Sequence, residues 1–334
     1  MHSPTVSVIL PFYNAEPTLN RAIESIVQQT YSHWELILVD NQSIDNSSQI
    51  AERYVQQDIR IYLIQETQQG VTFAFNAGLA LAQGKYIARM DADDYSYPSR
   101  LEQQIHYLER HAKVDVVSGL VSYKADVPQA GMQHYVNWTN TLITSKQITD
   151  NQFVELPTIN PTLVFRRSSL EKYGTYQNGE FPEDYELVLR WLQKGATFTK
   201  ITNTILDWHD SSNRLTRTNS RYSTEAFYQI KTKYLAEWLR QNNPFHPAVV
   251  IWGAGRKTRQ RVKLLEEYGI EITAFIDIIP NKVLEKPCIY FKDISPPGQY
   301  FILSYVSNRG KREEIRQFLT NKGYQEAIHF LLAA

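Results

Sequence analysis

Three carboxylates fall within four positions in Asp91-Ala92-Asp93-Asp94. Oxygen-rich clusters of this kind suit hard divalent cations such as Mg²⁺ or Mn²⁺. Such a cation would offset the charge that builds on a departing diphosphate. A solvated acidic turn is the plain alternative, and D-x-D is too common a pattern to decide alone. A second acidic pair, Glu183-Asp184, follows Pro182 and opens an amphipathic segment carrying Leu187, Val188, Trp191 and Leu192. Acids in the first turn of a helix complement its dipole by about 0.3–1 kcal/mol. A carboxylate there can also act as a general base toward a hydroxyl, and spacing alone favours the dipole role. His209 stands between Trp208 and Asp210, ahead of Ser211, Ser212 and Arg214. A histidine in polar company can ligate a metal or bind phosphate, though a lone histidine is more often structural.

Elements ending at these residues must position them. Val6–Leu10 is an apolar, β-branched run that reads as a buried strand. Thr18–Gln29 has helical spacing, and Trp34–Val39 is a second buried strand that ends at Asp40. Asp45–Gln56 reads as a helix, Arg60–Gln65 as a strand, and Phe73–Gln83 as a helix stopped by Gly84. Tyr86–Met90 is a fourth strand and runs straight into Asp91. Alternating strands and helices imply a parallel sheet with crossover helices, whose ligands sit beyond the carboxyl ends of the strands. Asn14, Asp40 and Asp91 each follow a strand, so all three are expected at one crevice. Leu101–Arg110 and Tyr185–Lys194 read as helices, Val114–Tyr123 and Thr162–Phe165 as strands, and 124–155 has no clear pattern.

The chain has 334 residues, of which 43% are hydrophobic and 21% charged, with no net charge. That length suggests two domains, and the charge balance gives no field that would draw in nucleic acid. The charge is unevenly spread. Residues 245–334 hold 13 Lys and Arg against 9 Asp and Glu, and the remainder is mildly acidic. Cys288 is the only cysteine, which rules out an internal disulfide and a cysteine-built metal site and fits a reducing compartment. No signal peptide is expected, since no basic stretch and long apolar run precede the first strand. No apolar run is long enough to span a bilayer, so a cytoplasmic protein is expected, with contact at a membrane surface left open.

Residues 5–110 resemble the inverting family 2 glycosyltransferases. The stretch VSVILPFYNAEPTLNRAIESIVQQTYSHWELILVDNQSIDNS is similar to their N-terminal signature, and NAGLALAQGKYIARMDADDYSYPSRL to their next block. FPEDYELVLRW resembles their acidic helix start, and LDWHDSSNRLTR their late histidine segment, in the family's order. The resemblance implies a glycosyltransferase A-type α/β fold with a mixed sheet and flanking helices. It implies that Pro11, Tyr13 and Asn14 line a nucleotide pocket, that Asp40 binds the base, and that Asp91 contacts the ribose or the metal-bound phosphates. Asp93 and His209 would hold Mn²⁺ or Mg²⁺, Asp184 would be the catalytic base, and Glu183 would support it. The partners implied are a nucleotide-sugar donor of UDP or dTDP type and a glycan or lipid-linked saccharide acceptor. Two departures bear on this. Gln68-Gln69-Gly70 stands where many relatives have asparagine and glycine, and Asn160 stands where many have histidine before Pro161-Thr162.

A fresh pattern begins after Asn242-Asn243-Pro244, which suggests a catalytic domain over 1–240 and an accessory domain over 246–334. Ala248–Trp252 is a strand leading into Gly253-Ala254-Gly255, and a helix through Leu264 and Leu265 follows. The strand Ile272–Ile276 ends at Asp277, near the spacing of a ribose-binding acid. Thr258 replaces the third glycine of the dinucleotide fingerprint. The tail resembles small Rossmann-like modules appended to some bacterial glycosyltransferases. It can be a nucleotide site, an element for docking, self-association or acceptor positioning, or a basic face against an anionic membrane. Two other functions stay open from the pattern: an NAD(P)-dependent oxidoreductase centred on the tail, and a non-catalytic scaffold that binds nucleotide sugar.

Overall fold

The computed structural model describes residues 4–211, 214, 217 and 219–334. Ser212, Asn213, Leu215 and Thr216 of the late histidine segment lie outside the described residues. The chain forms two compact units, residues 1–148 with 157–222, and residues 149–156 with 223–334.

The first unit begins with four strands, β1 (Val6–Phe12), β2 (Trp34–Asp40), β3 (Ile61–Gln65) and β4 (Tyr86–Arg89). Helices α1 (Glu16–Val27), α2 (Ser47–Gln57) and α3 (Val71–Leu81) connect them. Then come β5 (Tyr95–Ser96), α4 (Arg100–Arg110), β6 (Val116–Lys124), α5 (Ala130–Thr141) and α6 (Ser145–Asp150). The unit closes with β7 (Val164–Arg166), α7 (Ser168–Tyr173), α8 (Glu183–Gln193) and β8 (Phe198–His209).

These strands form one sheet in the order β3-β2-β1-β4-β7-β6-β8-β5. The first four are mutually parallel, β7 is antiparallel to β4 and β6, and β5 is antiparallel to β8. All seven residues of β1 and of β2 are buried. Strands covered on both faces read as unbroken apolar runs, which is why these two stand out in the sequence. The α3–β4 turn packs against β1, and a Cβ at Gly84 would lie 2.5 Å from the Ser7 backbone nitrogen. Residues 124–155, without pattern in the sequence, contain α5 and α6. Residues 160–162 form a 3₁₀ turn instead of starting a strand.

The second unit holds α9 (Thr224–Asn242), β9 (Ala248–Trp252), α10 (Arg256–Arg261), α11 (Lys263–Glu267) and β10 (Glu271–Asp277). It continues with β11 (Cys288–Tyr290), β12 (Ile302–Ser304), α12 (Arg309–Asn321) and β13 (Phe330–Leu332). Its five strands are all parallel, in the order β11-β10-β9-β12-β13. The one helix expected through Leu264 and Leu265 is two short helices that meet at Val262. Sequence punctuation points to a boundary near 240–246, yet α9 stands with the second unit. Lys231 Nζ on α9 donates to the Ala333 carbonyl at 2.7 Å, and Trp238 packs on Phe301 with ring centroids 6.0 Å apart. The excursion 149–156 also belongs here. Glu155 accepts from Arg309 Nη2 at 2.8 Å and Arg312 Nη1 at 2.9 Å, and these two cations hold its carboxyl low against the upward push of burial.

Candidate active site

Parallel pairing brings the ends of β1, β2 and β4 together. Phe12 lies opposite Asp40, and Ile9 opposite Arg89, so Asp91 emerges at the same edge. Pro11 is buried in β1, and Tyr13 just beyond is 48% exposed. Asn14 takes a left-handed conformation, φ 48°, which asparagine tolerates better than most residues. Its Oδ1 accepts from Ile44 N at 2.9 Å, and its backbone N–H donates to Ser43 Oγ at 3.1 Å. Asp40, buried at the end of β2, accepts from Ser43 N at 2.9 Å. One turn, 40–44, thus ties Asn14 to Asp40. The adjacent Asn41 holds the Gln68-Gln69-Gly70 loop, donating to the Gln68 carbonyl at 2.9 Å and accepting from Gly70 N at 2.7 Å.

His209 reaches this edge through tertiary structure. Tyr95 of β5 pairs with Asp207 of β8, so the antiparallel register carries Asp93 toward His209. The His209 N–H donates to Asp94 Oδ1 at 2.8 Å. Helix α1 supports the turn: Arg21 Nη2 donates to the Asp93 carbonyl at 2.6 Å, and Ser25 Oγ accepts from Ser96 N at 3.1 Å. Burial and the nearby Arg21 lower the His209 pKa, so the ring is neutral at neutral pH. His209 Nδ1 lies 3.2 Å from the Asp207 carbonyl. That contact places the proton on Nδ1 and leaves Nε2 as a bare lone pair.

These groups fit a divalent cation. Burial raises the Asp93 and Asp94 carboxyls, and neighbouring acids add to it. Asp94 Oδ2 is buried with no hydrogen-bond partner. Among the described residues, no three His, Cys, Asp or Glu side chains form a cage for an ion. A divalent cation held by one carboxylate and one imidazole would take its remaining ligands from phosphate and water.

The acidic pair lies at the start of α8. Glu183 is buried and accepts from Tyr222 OH at 2.6 Å. Asp184 is half-buried, and burial together with the Glu183 charge pushes its pKa up to about 7. A carboxylate poised there can take a proton at neutral pH.

Arg89, the last residue of β4, was not singled out from the sequence, yet it is bonded to Asp91 and lies in the field of Glu183 and Asp184. It is 3% exposed, and its Nε donates to Asp91 Oδ1 at 3.0 Å. Its guanidinium lies over the rings of Phe75 and Tyr176, at 4.9 and 5.4 Å. Burial opposes its charge, but Asp91, Tyr176, Glu183 and Asp184 together keep it protonated. Arg89 Nη1 is buried without a partner, and so is Asn76 Oδ1. Asn76 Nδ2 donates to the Tyr176 carbonyl at 2.9 Å, and Tyr176 OH donates to Asn160 Oδ1 at 2.7 Å. Asn160 therefore belongs to the same polar floor. Nearby, Arg217 is tied to Asp210 at 2.7 Å, and Arg214 lies over Trp208 at 4.1 Å.

In the second unit the glycine turn and the acid do meet. Ala254 N donates to Asp277 Oδ2 at 3.3 Å. That carboxylate is already engaged, accepting from Ile279 N at 3.0 Å and pairing with Lys282 Nζ at 2.6 Å.

Comparison with known proteins gives this arrangement a class. Residues 7–174 match the sequence family described as Glycosyl transferase family 2. EpsE of Bacillus subtilis (strain 168), provisionally named a glycosyltransferase, is 33% identical over 227 residues, covering 66% of this chain and 79% of its own. The chain belongs to glycosyl transferase family 2. Solved structures share the fold. S. aureus TarS 1–349 in complex with UDP-GlcNAc superposes with a TM-score of 0.57 at 19% identity, covering 79% of this chain and 71% of that one. The mannosyltransferase PcManGT of Pyrobaculum calidifontis, in complex with GDP-Man and Mn²⁺, gives 0.53 at 17% identity, covering 81% and 70%. The fold is the glycosyltransferase A-type, followed by an α/β unit with an all-parallel sheet.

Proposed function

We propose that this chain is a metal-dependent, inverting hexosyl- or hexosaminyltransferase. It moves a sugar from a UDP- or dTDP-type donor to a hydroxyl of a glycan or lipid-linked saccharide in bacterial surface polysaccharide synthesis. The observation that carries this reading is the Arg89 bridge. One buried cation is bonded to Asp91 on the donor side and lies in the field of Glu183 and Asp184 on the acceptor side. Pro11, Tyr13, Asn14 and Asp40 receive the nucleotide, and Asp91 receives ribose or phosphate. Asp93 and His209 hold Mn²⁺ or Mg²⁺, which when bound offsets charge on the leaving diphosphate. Metal use is supported by the complex of PcManGT with GDP-Man and Mn²⁺. Asp184 takes the acceptor proton while the acceptor oxygen attacks C1 from the face opposite the diphosphate. That is a single in-line displacement, so the anomeric configuration inverts. Glu183, held by Tyr222, keeps Asp184 basic near neutral pH. The second unit is a Rossmann-like accessory domain, and the protein works in the cytoplasm with peripheral contact at the inner leaflet. The test is hydrolysis and transfer across a panel of UDP-, dTDP- and GDP-sugars with Mn²⁺, read by proton NMR of the product anomer. Turnover of one donor to an inverted product supports the proposal. Retained configuration would overturn the single displacement.

A further inference from the structure

The carboxyl edge of the second unit's sheet carries two kinds of side chain that no internal contact accounts for. After β9, α10 presents Arg256, Lys257 and Arg259, all exposed. After the neighbouring β10, the turn 278–283 presents Ile278, Ile279 and Val283, which are 69%, 54% and 91% exposed. The two features lie side by side, since Gly253 N donates to the Ile276 carbonyl at 2.9 Å and Ala254 N to Asp277 at 3.3 Å.

The apolar turn is a built feature. Asp277 caps it through Ile279 N at 3.0 Å and ties it back through Lys282 at 2.6 Å, and Asn281 adopts the left-handed conformation with φ 56°. The isoleucines are therefore held outward. Glu285 is the exposed acid beside them, and Lys286 is paired with Glu266 at 3.4 Å.

We propose that this edge docks on an anionic lipid bilayer. A bilayer supplies both complements at once: acidic headgroups for the three cations, and acyl chains for the three apolar tips. A free nucleotide would use the cations but leave the isoleucines in water, and Asp277 is already engaged by Lys282. The surplus of basic over acidic residues in 245–334 has the matching sign. This deepens the inner-leaflet part of the reading above. Vesicle binding and donor turnover are separate measurements, so each can fail without the other.

The test is co-sedimentation of the full chain with phosphatidylcholine vesicles, with and without phosphatidylglycerol. Binding is expected only with phosphatidylglycerol and should weaken as salt rises. Charge reversal in Arg256→Glu/Lys257→Glu/Arg259→Glu should lower partitioning by about a hundredfold or more. Ile278→Ser/Ile279→Ser should lower it by about tenfold or more, because apolar insertion is lost. Donor hydrolysis by both variants should match the parent, and a denaturant melt of the second unit that also matches shows that the substituted unit folds. Equal binding to neutral and anionic vesicles, or no binding to either, overturns the proposal. So does an Ile278- and Ile279-dependent dimer in sedimentation equilibrium that leaves vesicle binding untouched, which would make a second copy the occupant.

Discussion

The two units each end parallel strands in loops with acids and glycines, but they treat those acids in opposite ways. At and just after the end of β4, Arg89 Nη1 and Asp94 Oδ2 are buried with no hydrogen-bond partner, as is Asn76 Oδ1 on α3. After β9 and β10, Asp277 is saturated by two backbone N–H groups and a lysine. Buried polar groups without partners are costly and uncommon. A ligand seated at the end of β4 would supply partners for Arg89 Nη1 and Asp94 Oδ2. An acid fully satisfied by its own loop is holding that loop in shape. Motif spacing alone cannot tell these cases apart, since both turns offer an acid in a suggestive place.

The largest effect is expected at Asp184. Asp184→Asn should cut kcat for transfer by about 10²–10⁴, with little change in donor KM, as steady-state kinetics will show. An unchanged kcat would move the base elsewhere. Arg89→Met comes next, because it leaves Asp91 without its partner and removes the buried cation that favours the Asp184 carboxylate. A fall in kcat/KM of about tenfold to a hundredfold is expected. The acidic limb of the pH–rate profile should also move to higher pH, since the lost cation was lowering the Asp184 pKa.

The pH profile sharpens the same point. Asp184 must be ionised to act, so kcat/KM should fall about tenfold per pH unit below about 7. Removing a like charge lowers a carboxyl pKa, so Glu183→Gln should move that limb to lower pH. A limb that stays in place would mean that Glu183 does not set the Asp184 pKa. The smallest effect belongs to the second unit. Asp277→Asn should leave donor turnover unchanged and NADH fluorescence flat. It should cost about 1–3 kcal/mol of that unit's stability, read by denaturant melting, through the lost Lys282 pair. The folded pKa of Asp277 is depressed, with Lys282 and two N–H groups outweighing burial. This contribution is therefore present above the unfolded carboxyl pKa and lost as pH falls through the folded one. NADH binding that depends on Asp277 would return the tail to the oxidoreductase reading.

Much of the site was legible because its signals are local. β2 is an apolar run that stops at Asp40, β4 stops just short of Asp91, and Pro182 announces the first turn of α8. What stayed hidden was tertiary. Arg89 reads as one residue of a short strand, and only the fold shows it buried between Phe75 and Tyr176. Tyr222 meets Glu183 from 39 residues away. The link between His209 and Asp94 depends on β5, a two-residue strand no periodicity could reveal. Helix α9 was legible as a helix, but its unit was not, because an apolar face does not say which surface will cover it.

On the proposed function, the edge of β1, β2 and β4 binds a nucleotide diphosphate through a divalent cation at Asp93 and His209. Calorimetric titration of UDP into the full chain, with Mn²⁺ and then with EDTA, tests it directly beside Asp93→Ala. Binding with Mn²⁺ should fall at least about a hundredfold under EDTA and in the variant. Equal UDP affinity in all three conditions would contradict it.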